Sequence, residues 1–196
     1  MSVVHSIEAE YKRYKALADA AIAQVTDEEL AAAAPGGGNS IEMMVRHIAG
    51  NLQSRFTDFR TSDGEKPWRN RDEEFEPAVL NRGELLESWE TGWKALFGAV
   101  SALGDDDLAD TVTIRRQPLR IDEALHRSLA HAAYHVGQIV FLAKAMRGDA
   151  WRSLSIPRGM SEAFNKKAAA GMQTAEAHAD WLRNPPSSSR RDSSPP

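Results

Sequence analysis

The strongest constraint on this chain is a repeated seam of apolar residues at alternating steps of three and four. Val4, Ile7, Tyr11, Tyr14, Ala18, Ala21 and Val25 form the first. Such a seam fits a helix packed lengthwise on another at a shallow angle. Ile41, Met44, Val45, Ile48, Leu52, Phe56 and Phe59 form the stripe of a second helix, with Asn39 and Ser40 offered as caps. Leu86, Trp89, Trp93, Leu96, Val100 and Leu103 repeat the spacing in a third helix over 82–103, and a fourth runs over 122–147. Four long amphipathic helices predict an all-α four-helix bundle.

The connections carry their own signals. Thr26 with Glu29 reads as a capping box for a short turn that ends at Pro35 and three glycines. Residues 62–81 form a polar loop between the second and third helices. Loops this long in a compact domain are uncommon, and Trp68 and Phe75 predict that this one is pinned to the body. Residues 105–107, three aspartates, read as a solvated turn. Alternation around Pro118 predicts a small β-hairpin before the fourth helix. The expected domain covers 1–165, followed by a weak Ala-rich helix over 166–184. The Pro/Ser-rich end, 185–196, reads as a disordered tail.

Composition removes several function classes. The chain has no cysteine, which excludes disulfides, thiolate zinc sites, iron–sulfur clusters and a cysteine nucleophile. A net charge of -4 without a basic cluster argues against nucleic acid as a partner. No apolar run is long enough to span a membrane, and early acidic residues argue against a signal peptide, so a cytoplasmic location is expected. No G-x-S-x-G, Walker or dinucleotide-binding glycine pattern is present.

The histidines carry the chemistry. His131 and His135 stand one turn apart on the fourth helix, so both imidazoles can reach one ion at about 2.0–2.1 Å. Ala132 replaces the glutamate of an H-E-x-x-H protease helix, which excludes that reading. His47 stands alone on the second helix with Asn51 one turn on. Both sets flank their apolar stripes, so facing flanks would gather three imidazoles beside the core. Three protein ligands and open positions mark a catalytic metal site rather than a closed structural one. His5, His126 and His178 read as surface residues. Arg127, Ser128, Gln138 and Leu142 share the His131 face, with Arg127 a candidate carboxylate clamp and Gln138 a ligand or supporting group. Tyr134 lies off that face and reads as packing. Arg69 and Arg71 on the loop are candidate contacts to an anionic ligand, and Arg158 would reach the site if its segment folds back.

With RHIAGNL, DGEKPWRNRDEEF, HAAYHVGQIV and LSIPRGMSEAFN in view, the chain resembles an uncharacterised branch of the DinB/YfiT-like superfamily. The likeness covers most of residues 1–165. It implies a four-helix bundle with a characteristic long connection, a homodimer, and a divalent ion held by His47, His131 and His135. It also implies a metal-dependent enzyme, since some relatives are thiol-dependent S-transferases or isomerases that use low-molecular-weight thiols such as bacillithiol or mycothiol. Three imidazoles suit zinc, nickel, iron or copper. A non-catalytic metal-binding or sensor bundle is the competing expectation, and hydrolysis by metal-bound water is a third. No carboxylate shares the His face of the fourth helix, and Asp58 is the nearest on the second.

Overall fold

Each long seam folds as a helix, and the side chains of Ser2, Ser40 and Asn81 cap the starts of the first three. A computed structural model describes residues 2–78 and 81–169. Its α-helices are α1 (Val3–Ile22), α2 (Asp27–Ala31), α3 (Ile41–Phe56), α4 (Arg82–Ser101), α5 (Ile121–Arg147) and α6 (Ser161–Ala169). One antiparallel pair, β1 (Thr111–Ile114) and β2 (Gln117–Arg120), precedes α5. The fold is mostly helical, and among the described residues no helix is long and apolar enough to cross a membrane. Thr26 and Glu29 do form a capping box on α2. Ser40, rather than Asn39, caps α3 by accepting from the Met43 N–H. The aspartates after α4 do more than meet solvent. Asp105 accepts from the Val3 and Val4 N–H groups and the Ser2 hydroxyl, tying down the start of α1.

The four long helices pack most closely as α3 on α4 and α1 on α5, with α3–α5 and α1–α4 contacts between those pairs. Every residue of the second seam is buried, as are Trp89, Trp93, Leu96 and Val100 of the third. The polar tips of Tyr11 and Trp89 find partners, whereas the buried Trp93 indole nitrogen has none among the described residues. The Tyr11 hydroxyl donates to the Leu125 carbonyl at 2.9 Å, and the Trp89 indole donates to Asp19 at 2.7 Å. Among the described glycines, the closest approach to a neighbouring backbone is at Gly92 on α4, where an added Cβ would lie 2.6 Å from the Ala49 carbonyl oxygen.

The hairpin forms where alternation placed it, but its tip is unusual. The register pairs Ile114 with Gln117, so Arg115 and Arg116 make the two-residue turn, at φ 53° and 61°. Such turns favour Asn-Gly, and a left-handed non-glycine costs about 1 kcal/mol or more. Asp63 on the long loop offsets that cost, accepting from the Arg115 and Arg116 N–H groups at 2.8 and 2.7 Å.

Polar groups therefore pin the loop. The Ser54 hydroxyl donates to the Gly64 carbonyl and accepts from the Lys66 N–H. Trp68 is not the anchor expected, since its ring is 55% exposed. Tyr134 is likewise not packed inside but 63% exposed. The last helix starts at Ser161, earlier than the sequence suggested, because Met160 and Phe164 already bond as a helical turn. The rest of the helix expected over 166–184, and the tail over 185–196, lie outside the described residues.

The Asp63 clamp makes a pH prediction. N–H donors from Glu65, Arg116 and Arg115 hold its carboxyl below the usual aspartate range. A depressed folded value means the stabilisation is present above the unfolded pKa of about 3.9 and is lost as pH falls through the folded one. Asp63→Asn should therefore be less stable than the parent at pH 7 in urea unfolding, with the gap narrowing as pH falls below the unfolded value of about 3.9. A gap unchanged at low pH would show that the charge is irrelevant.

Candidate metal centre

α3 carries His47 and α5 carries His131 and His135, and the α3–α5 contact brings the three rings together. Their candidate ligand nitrogens all lie within 4.8 Å of one another. The ring centroids of His47 lie 5.1 Å from His131 and 4.9 Å from His135. His47 Nε2 and His131 Nε2 are 3.1 Å apart. Two nitrogen lone pairs at that separation repel unless a proton or cation lies between them. A tetrahedral ion with bonds of about 2.0–2.1 Å would separate its ligands by about 3.4 Å, close to this pair.

The outer hydrogen bonds set the tautomers. The His47 Nδ1–H donates to Glu74 Oε2 at 2.8 Å, and the His135 Nδ1–H donates to Gln138 Oε1 at 2.8 Å. Each leaves Nε2 free to accept a ligand bond, the pattern by which carboxylates and amides orient metal-binding imidazoles. Burial, reinforced by the neighbouring histidines, pushes His131 down to about 4. Burial also lowers His135. Both rings are thus neutral at physiological pH, as ligation requires. The donor set fits a divalent ion.

Glu74 is the residue that sequence reasoning missed. It sits in a short 3-10 turn (Asp72–Phe75) on the long loop, 27 residues from its partner. Burial alone would raise its pKa, but bonds from His47 and Arg69 outweigh that and hold it low. Arg69 donates to both carboxylate oxygens, at 2.7 and 2.9 Å. The Phe75 ring lies 4.8 Å from the His47 ring. The loop therefore covers the second-helix histidine, which is why His47 is 4% exposed rather than at an open flank. Gly50, one turn after His47, leaves room for this, since a Cβ there would collide with the Glu74 carboxylate. A signal was available in DEEF, an acidic run closed by an aromatic residue directly after the Arg69–Arg71 pair.

Other candidates are placed as follows. Asn51, Arg69, Arg71 and Arg127 line a cleft of about 190 Å³ that His47 and His131 also border. Gln138 orients His135 and lies outside that lining. Arg158 is exposed after α5 and does not line the cleft. Leu142 is buried in the core. His126 and His5 are exposed, and His178 lies outside the described residues. The exposed Tyr134 ring lies 4.9 Å from that of His135, at the rim of the site.

Removing the Glu74 charge tests the supporting shell. Glu74→Gln should weaken metal affinity by about 10–100-fold, the usual cost of losing such a partner, measured by competition with a chromophoric chelator. Equal affinity would make Glu74 a purely structural loop anchor.

Neither the comparison with curated proteins nor that with solved structures gives a match. A family model described as Protein of unknown function (DUF1572) matches residues 1–160. That match spans most of the sequence, and the chain belongs to the DUF1572 family.

Proposed function

We propose that this protein is a DinB/YfiT-like four-helix bundle that binds one divalent ion through His47, His131 and His135 and catalyses a metal-dependent, thiol-dependent S-transfer. The observation that carries the reading is the convergence of three imidazoles, two held in the Nε2-ligating tautomer by Glu74 and Gln138. A bound zinc, nickel or iron ion would supply a Lewis acid that keeps a thiol as thiolate at neutral pH. The chain's own residues orient the imidazoles, exclude water from the His47 side through Phe75, and leave the cleft side accessible. Hydrolysis is less well supported. Glu74 is the carboxylate nearest the imidazoles, but its low pKa and its bonds to His47 and Arg69 leave it a poor general base.

The test has two stages. Elemental analysis should find one divalent ion per chain. The metal-loaded protein should then accelerate, over the metal-stripped form, attack of a low-molecular-weight thiol on monochlorobimane, with sulfur–carbon bond formation and chloride release. Metal binding without acceleration by any thiol would leave a non-catalytic bundle.

The homodimer implied by the resemblance is part of the proposal. α5 presents Ala130, Tyr134, Gly137 and Phe141 to solvent along one face, with Phe141 75% exposed. Alternating aromatic and small residues can interdigitate with a second copy about a two-fold axis. Light scattering should give a two-chain mass for the parent and a one-chain mass for Phe141→Glu, and a one-chain parent would overturn the dimer.

A further inference from the structure

The cleft beside the histidines is strongly cationic in a chain of net charge -4. Arg55, Arg69, Arg71, Arg115 and Arg127 all line it. Two carboxylates offset them: Glu74 pairs with Arg69, and Glu65 is shared by Arg55 and Arg115. Asp72 approaches Arg71 only to 3.7 Å and is itself almost wholly in solvent. Arg127 has no hydrogen-bond or ion-pair partner among the described residues. Beyond these contacts, the remaining positive charge has no counterpart among the described residues.

Three observations indicate that this crowding is built rather than incidental. Arg69 has a side chain only 2% exposed, yet its Nη1 makes no hydrogen bond while its other nitrogens reach Glu74. A buried guanidinium donor without a partner is costly unless something else supplies an acceptor. Arg55 is held below the usual guanidinium range by burial, with the Arg69 and Arg115 cations adding to it against Glu65. Arg115 is presented by a left-handed turn that Asp63 must hold in place. Strained backbone that carries a charged side chain to a cleft points to a ligand. Phe59, Ile114 and Ala124 supply apolar wall between the charged groups.

We propose that this cleft binds a small organic dianion, such as a dicarboxylate, with one anionic group meeting Arg69 and Arg71 from the loop and the other meeting Arg115 and Arg127. Guanidinium groups are the side chains best matched to carboxylates, by paired N–H donors. A volume of about 190 Å³ restricts the ligand to a small metabolite, since pockets for drug-sized molecules hold about 300–1,000 Å³. The inference rests on the metal-centre reading for the chemistry at the ligand's inner end, where the dianion would lie beside His47 and His131. The dianion is either a thiol cosubstrate carrying two carboxylates or a thiol-free acid.

Calorimetry on the full chain, metal-stripped and zinc-loaded, tests this with succinate, its neutral analogue succinamide, and mercaptosuccinate. Succinate should bind even the metal-stripped chain, and succinamide should not. Arg71→Gln combined with Arg127→Gln, both on exposed side chains, should weaken succinate binding about tenfold or more while zinc content stays unchanged. Arg13→Gln, on α1, should leave succinate binding unaltered. Mercaptosuccinate gaining affinity over succinate on zinc loading identifies the dianion as the thiol partner, and equal affinity identifies a thiol-free acid. Either result upholds the cleft as a dianion site. Equal binding of succinate and succinamide, no binding of either acid, or a double variant as tight as the parent overturns it. Zinc stoichiometry in the same samples reports separately on the metal centre. A chain that takes up zinc and no dianion refutes the cleft alone, and one that binds succinate and no zinc refutes the metal reading alone.

Discussion

Replacing His135 with Ala is expected to strip most of the bound metal while leaving the protein folded. The ring is half-exposed at the rim of the cluster, and its hydrogen bond is to Gln138 on its own helix. Its removal therefore opens no core cavity and orphans no buried charge. Two ligands would remain where three are needed. Losing an outer-shell partner already costs about 10–100-fold in affinity, so loss of a ligand should exceed about 100-fold. Elemental analysis after dialysis should show a largely metal-free variant with an unchanged circular dichroism spectrum. His126→Ala, on the same helix but exposed and outside the cluster, should retain the parent's metal content. Equal metal in His135→Ala and the parent would sink the assignment.

The second large effect is expected at Gly92. An added Cβ would lie 2.6 Å from the Ala49 carbonyl oxygen and 2.9 Å from its Cα, and both are backbone atoms that cannot rotate aside. α3 and α4 would have to separate along their closest contact. Overpacking costs about 1–3 kcal/mol, and a branched side chain between two backbones belongs at the upper end, so Gly92→Val should cost about 3 kcal/mol. For a chain of this size that corresponds to a fall in Tm of about 6–12 °C. Gly98 on the same helix is the control, because a Cβ there meets nothing within 4 Å. Gly98→Ala should raise stability by up to about 1 kcal/mol through helix propensity alone. If both variants shifted Tm in the same direction, the close-approach argument would fail. Gly92→Val should also weaken metal binding, since Ala49 lies two residues from His47 on α3.

These two expectations draw on different layers of information. His131 and His135 were legible as a pair because an i,i+4 spacing on a helix fixes a shared face whatever surrounds it. The seams were legible for the same reason, and every residue of the stripe read from periodicity on α3 is buried, with Glu42, His47, Ala49 and Ser54 buried besides. Gly92 was not legible, since a glycine inside a helical pattern carries no mark of what lies across from it. Glu74 was hidden because its partner is distant in sequence and its loop has no period to read. The burial of His47 followed from that loop and could not be read from its own helical wheel. The Arg115–Arg116 turn was hidden because its left-handed backbone depends on Asp63 rather than on its own residue types. Periodic elements announce themselves locally. The loop that finishes the site is written in long-range pairs.

The uneven exposure of the three histidines has a kinetic consequence. With Phe75, Glu74 and Arg69 over His47, an ion arriving at the proposed centre would meet the half-exposed His131 and His135 first and engage His47 last. Capture would then be stepwise, a two-point association followed by a locking step. Release would run in reverse and begin with detachment from the innermost ring. Exchange of the ion would be governed by the motion of residues 69–75 rather than by diffusion, so a tightly held metal could still be replaced quickly in any variant that loosens that segment.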